Sequence, residues 1–240
     1  YFAFPHIVGS RLRQHYGDTP LRFVVLLREP VSRAWSHYLC RVHHGYEKRD
    51  FGTVLAQESV EPYHSEARYF GEGRYAHLLH EWRNYYPAEN FLFLLSEDLA
   101  ANPLAQVRRV IMWLGEDATM PINTSDRLNT ARYSRSPRVI EFLNHPPAWI
   151  RSLSEQLWPE TWKRRRLRHK LHERFQAPYG TLPTLDPMLA GDLRRRYRND
   201  ILALSKELGR YLSHWLGEEE LVVTASPHQM AVEYTTQLVP

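Results

Sequence analysis

The chain has 240 residues, of which 43% are hydrophobic and 24% charged, and its formal net charge is +4. That length suits one α/β domain with a sizeable core, and the composition is that of a soluble globular protein with no apolar run near the roughly 20 residues a membrane-spanning helix needs. A single cysteine, Cys40, excludes an internal disulfide and a cysteine-built zinc site within one chain, while the positive balance favours anionic ligands without choosing among phosphates, sulfated sugars, nucleic acid and membrane surfaces.

The chain opens on YFAFPHIVGSRLRQ, without an initiator Met and without the basic start and cleavage site of a signal peptide. It is expected to be N-terminally incomplete. The lone cysteine and the missing signal peptide make a cytoplasmic location the expectation.

Phe23 to Leu27 forms the first apolar run and Phe91 to Leu95 the second. Continuous apolarity, rather than alternation, predicts parallel strands covered by helices on both faces. Val31, Ala34, Trp35, Tyr38 and Val42 share one face of a helix that follows the first run, with Ser32, Ser36, His37 and Arg41 towards the other side. Tyr75, Leu78, Leu79 and Trp82 make a second helical stripe. Leu104, Val107, Ile111 and Leu114 make a third, opened by Pro103 and closed by Gly115. Strand alternating with helix predicts a three-layer α/β fold with a parallel sheet.

Residues 116–138 are polar and turn-rich and read as surface loop. WPETWKRRRLRHKLHERF is basic and part helical. Its run Lys163 to Lys170 suits nucleic acid, a sulfated sugar or a phosphate, and equally a solvated helix. Trp149, Trp158 and Trp162 suit either a sugar-stacking groove or a core. Leu189, Leu193, Tyr197, Ile201, Leu204 and Leu208 define a long amphipathic helix ending near Gly209, and Leu221 to Thr224 is a candidate strand in the tail. The expected division is one domain over 1–216 and a tail over 217–240. His37 and His44 lie two turns apart, but no further ligand completes a metal set, so no metal is expected.

The first run ends in an unusual way. After LL the chain continues REPVSRAWSHY, so a buried strand delivers Arg28 at its tip and Pro30 starts a helix at once. Ligands of open α/β sheets sit beyond the carboxyl ends of the strands, and the helix is expected to present free N–H groups there. Arginine offers a planar fork matched to phosphate oxygens, and Ser36 adds a hydroxyl donor. The competing reading pairs Arg28 with a carboxylate such as Glu29, Glu97 or Asp98, and leaves Ser36 merely solvated.

LLREPVSRAWSHY resembles the 3′-phosphate-binding segment of sulfotransferases that use 3′-phosphoadenosine 5′-phosphosulfate (PAPS), through Arg28, Pro30, Arg33, Ala34, Ser36 and Tyr38. Glu29 departs from the family's Asp or Asn. GRYAHLLHEWRNYYPAENFLFLLSEDLAANPLAQVRRVIMWLG is similar to the family's Gly-x-Tyr helix, second strand and following helix, with Gly73 and Tyr75 in the Gly-x-Tyr positions and Glu72 where a basic residue is common. RLNTARYSRSP resembles a loop that closes over the nucleotide, and the residues from Leu189 to Leu216 resemble the closing helix. The resemblance implies a P-loop-nucleotide-hydrolase-like sulfotransferase fold, PAPS as sulfuryl donor, and cofactor contacts from Arg28, Ser36 and Tyr75. It also implies a structural Arg33 and a hydroxyl or amine acceptor, such as a small molecule or a carbohydrate. The family's phosphosulfate loop and general base find no match and are expected upstream of residue 1. His6 is the one base candidate near that junction. A kinase of similar fold and a non-catalytic polyanion- or nucleic-acid-binding domain are the alternatives.

Overall fold

The computed structural model describes residues 2–58, 68–124, 132–134, 137–158, 160–178 and 183–217. In chain order the larger elements are α1 (Pro5–Tyr16), β1 (Phe23–Leu27), α2 (Pro30–His43), α3 (Phe51–Gln57), α4 (Tyr75–Trp82), β2 (Phe91–Leu95), α5 (Ser96–Ala101) and α6 (Pro103–Leu114). They continue with β3 (Arg132–Ser134), α7 (Pro137–Asn144), α8 (Ala148–Leu157), α9 (Thr161–Arg174), β4 (Gln176–Pro178) and α10 (Pro187–Leu208). Both predicted strands occupy the expected residues, and the third stripe closes on Gly115, whose φ of 87° is the left-handed cap glycine supplies readily. The candidate strand at Leu221 to Thr224 lies outside the described residues, as do 127–131 and 135–136 of the loop that resembles a nucleotide cover.

The chain divides into two units. One comprises 1–33, 59–120 and 186–240, the other 34–58 and 121–185, so a boundary falls within α2.

In the first unit β1 and β2 pair in parallel, with Phe23 opposite Phe91 and Leu27 opposite Leu95. Leu27 and Leu95 are buried with Leu78, Leu79, Leu193, Tyr197 and Leu204, the inward stripes of α4 and α10. Trp82, Tyr86 and Phe91 form a second cluster, joined by Phe2, Phe23 and Phe93. The Trp82 indole N–H donates to the Phe2 carbonyl at 2.8 Å and ties the start of the chain to α4.

β2 is largely buried along its length, as its apolar run predicts. β1 differs: Val24 is 45% exposed and Leu26 52% exposed, because no described element covers that face. Apolarity alone specifies a strand that can be covered on both sides; coverage depends on what packs there.

In the second unit Trp35 and Tyr38 stack with ring centres 5.3 Å apart, and Phe51 of α3 packs on both. β3 and β4 pair antiparallel. Among the described residues between 121 and 185, no side chain is buried. The basic segment is more helical than its composition predicts, forming α9 from Thr161 to Arg174.

Candidate functional site at the tip of the first strand

β1 stops at Leu27 because the next three residues cannot continue it. Arg28 carries a charge that stays in water, and Pro30 has no N–H for a strand ladder but fits the first turn of α2. Leu27 is buried and Arg28 exposed, so the chain crosses from core to solvent within one residue.

Tyr75, the first residue of α4, donates its hydroxyl to the Arg28 carbonyl at 2.9 Å. The ring is 5% exposed. Burial pushes the Tyr75 phenol up to about 12, against the opposing pull of the Arg33 charge, so it remains a neutral donor across the physiological range. Tyr75 thus meets the backbone of the arginine-bearing tip, and its hydroxyl is committed to that bond.

Glu29 folds over the start of α2. Its two carboxylate oxygens accept from the Val31 N–H at 3.0 Å and the Ser32 N–H at 2.6 Å. The expectation of free N–H groups facing the crevice is therefore corrected at these two positions. An acidic side chain one residue ahead of the helix is drawn to the positive end of the helix dipole and satisfies the amides itself.

The carboxylates that compete for Arg28 are all engaged elsewhere. Besides Glu29, Glu97 accepts from the His214 ring at 2.9 Å and the Trp215 indole at 2.8 Å. Asp98 pairs with Arg210. Among the described residues the Arg28 guanidinium makes no ion pair and no hydrogen bond. A positive fork stands in water at the strand tip with its anionic neighbours satisfied.

Arg33 is structural, as the resemblance implies. It pairs with Glu72 at 3.2 Å and donates to the Tyr69 carbonyl. Glu72, unusual by family comparison, is thereby accounted for as the partner of Arg33. Gly73 is demanded by packing: a Cβ there would stand 2.6 Å from the Tyr197 hydroxyl oxygen. Tyr197 in turn donates to the Phe70 carbonyl at 2.9 Å. So the Gly-x-Tyr pair serves two tertiary contacts, one to α10 through Gly73 and one to the tip of β1 through Tyr75.

Ser36 lies on the part of α2 that belongs to the second unit and is half-buried, and its hydroxyl makes no hydrogen bond among the described residues. His6 is held at both ring nitrogens, with Nε2 2.6 Å from a Glu81 carboxylate oxygen and Nδ1 3.2 Å from the Tyr85 hydroxyl. Among the described residues no group of three or more His, Cys, Asp and Glu side chains could hold a metal ion, and no helix is long and apolar enough to cross a membrane.

One supporting residue escaped the sequence reading. Asp200 of α10 accepts from the Ala76 N–H at 3.1 Å and the His77 N–H at 3.0 Å, capping α4 from another helix. Arg74, the residue before α4, makes no side-chain cap of its own. A partner 124 residues away leaves no local signal.

The parallel strands, the helix that starts at the first strand's end and the unpaired arginine between them define an α/β protein with an exposed guanidinium just beyond the carboxyl end of its first strand. Residues 1–177 match the sulfotransferase domain family, and the chain belongs to it. It is 30% identical over 104 residues to mouse heparan sulfate glucosamine 3-O-sulfotransferase 6, a match covering 43% of this chain and 30% of that protein. The human protein of the same name is 29% identical over 103 residues, with the same coverage. The chain thus spans less than a third of the length of these curated relatives. The crystal structure of a sulfotransferase from Alicyclobacillus acidocaldarius superposes with a TM-score of 0.57 at 21% identity, covering 90% of this chain and 64% of that one. At that identity the likeness establishes the sulfotransferase fold.

Proposed function

We propose that the chain supplies the 3′-phosphate-binding half of a PAPS-dependent sulfotransferase, in which Arg28 and Ser36 take the 3′-phosphate. The observation that carries this reading is the state of Arg28: exposed at the strand tip, without a carboxylate, while Glu29, Glu97 and Asp98 are each bonded elsewhere. A guanidinium left so can give two parallel charge-assisted bonds to a phosphate. Ser36, whose hydroxyl is uncommitted, suits a third donor. Tyr75 contributes by holding the Arg28 backbone, and so fixes the direction in which the arginine leaves the sheet.

PAPS, when bound, supplies the sulfuryl group and leaves as 3′,5′-adenosine bisphosphate. The residues in hand account for recognising the nucleotide and for telling it from nucleotides that lack a 3′-phosphate. The acceptor is a hydroxyl or amine, and the names of the curated relatives point to a glucosamine-containing carbohydrate.

Titration calorimetry with 3′,5′-adenosine bisphosphate tests the assignment. The parent chain should bind it well above 5′-AMP, and Arg28→Ala should cost about 2–4 kcal/mol of that affinity, as loss of a charge-assisted pair does. Equal affinity for the two nucleotides, or an indifferent Arg28→Ala variant, would refute it.

A further inference from the structure

The second unit carries a surface outside the residues assigned above to the nucleotide. Residues 148–174, spanning α8 and α9, hold eight Lys and Arg against three Glu, a net +5 where the whole chain carries +4. The chain's excess positive charge is therefore concentrated in this one helical pair. Some of it is neutralised in place: Lys163 pairs with Glu160 at 2.7 Å, and Arg164 lies 3.7 Å from Glu155. Among the described residues Arg165, Arg166, Arg168 and Lys170 have no ion-pair partner.

Apolar side chains of the same two helices also face water. Trp149, Leu153 and Leu157 recur every four residues of α8 and so share one face. Trp149 is 68% exposed and Leu157 60%. Where α8 gives way to α9, Trp158 and Trp162 line an open recess of about 430 Å³ together with Lys163, Arg166 and Lys170. The Lys163 ammonium lies 5.5 Å from the centre of the Trp162 ring. Indoles and cations thus share one surface.

We propose that this α8–α9 corner docks on an anionic lipid bilayer, as a peripheral contact and independently of the nucleotide reading. Exposed indoles and leucines beside unpaired lysines and arginines are what an interfacial segment presents. The apolar side chains enter the headgroup–acyl boundary while the cations meet lipid phosphates and carboxylates. A nucleic acid or a sulfated glycan would satisfy the cations and stack on an indole, but offers no apolar phase to Leu153 and Leu157. A second copy of the chain would bring +5 against +5. The bilayer answers both halves of the surface.

The test is co-sedimentation of the whole chain with vesicles of phosphatidylcholine alone and of phosphatidylcholine with phosphatidylserine. Binding is expected only with phosphatidylserine, falling as salt rises. Tryptophan emission should shift to the blue and be quenched by brominated acyl chains. Both the double variant Trp158→Ser, Trp162→Ser and the double variant Arg166→Glu, Lys170→Glu should lower partitioning by about tenfold or more. All four side chains lie on the surface, so the melting temperature should hold, and quenching of the unsubstituted chain stands whether or not the variants fold. Three results would overturn the proposal: no preference for the anionic vesicles, binding lost on charge reversal but indifferent to the indoles and without quenching, or a concentration-dependent dimer abolished by the tryptophan substitutions. The second would assign the surface to a soluble polyanion, and the third to self-association.

Discussion

Tyr75 and Arg28 are 47 positions apart, yet the phenol of one holds the main-chain carbonyl of the other. The bond joins the first residue of α4 to the first residue past β1, so a helix start and a strand end are set against each other at the candidate site. Tyr75→Phe keeps the ring and removes only this donor. It should lower stability by about 1 kcal/mol, the usual net worth of such a bond. It should also weaken adenosine bisphosphate binding several-fold, read by calorimetry beside a thermal melt. An unchanged affinity would separate Tyr75 from the site.

Glu29 sits over the first amides of α2 as a negative charge next to the arginine proposed to bind phosphate. Glu29→Gln leaves a group that can still accept a hydrogen bond but removes the charge. Nucleotide affinity should rise, most clearly at low salt, while the melting temperature falls slightly as the helix loses a charged cap. A fall in affinity would mean that Glu29 positions the tip more than it opposes the ligand.

Gly73 lies against the ring of Tyr197. Gly73→Ala should destabilise the chain by about 1–3 kcal/mol through overpacking. Adding Tyr197→Phe should not restore it, because ring carbons would still stand 2.8 and 2.9 Å from the new methyl. Denaturant melts of the single and double variants decide this.

Asp200 closes the start of α4 from α10. Asp200→Ala should cost about 1–2 kcal/mol, the range of a lost N-cap. Burial raises the Asp200 carboxyl above its ordinary value, against the pull of the two amide bonds. Since the folded chain then holds this proton more tightly than the unfolded one, the group's own contribution falls as pH rises through its raised value. A melt series on the parent and Asp200→Asn should show the difference between them changing in that acid window and flat above it.

Glu47 behaves in the opposite sense. Arg49 hydrogen-bonds to its carboxylate with the side chain and the main-chain N–H, and holds it down to about 2 from an ordinary 4.5. Its stabilising effect should be complete above about pH 4.5 and disappear as pH falls towards 2. Melting curves of the parent and Glu47→Gln should therefore lie apart at neutral pH and converge in acid. Parallel curves down to pH 2 would contradict the pairing.

By itself the sequence determined the local elements and the chemistry at their ends. Two five-residue apolar runs read as short strands, and the Arg28–Glu29–Pro30 triplet had to end one strand and begin a helix, because charge, lost N–H and preset φ act within a few residues. The spacing of Tyr75, Leu78, Leu79 and Trp82 likewise named the inward face of α4, and all four are buried. Only the tertiary structure decided how the polar groups were shared out. That Glu29 would turn onto its own helix, that Glu97 and Asp98 would be taken by His214, Trp215 and Arg210, and that Arg28 would be left over depends on partners up to 118 positions away. The same holds for the open face of Val24 and Leu26, and for the Asp200 cap on α4. Hydrophobic period and backbone restriction are local and can be read along the chain, whereas the pairing of charges is settled by which side chains the fold brings within hydrogen-bond reach.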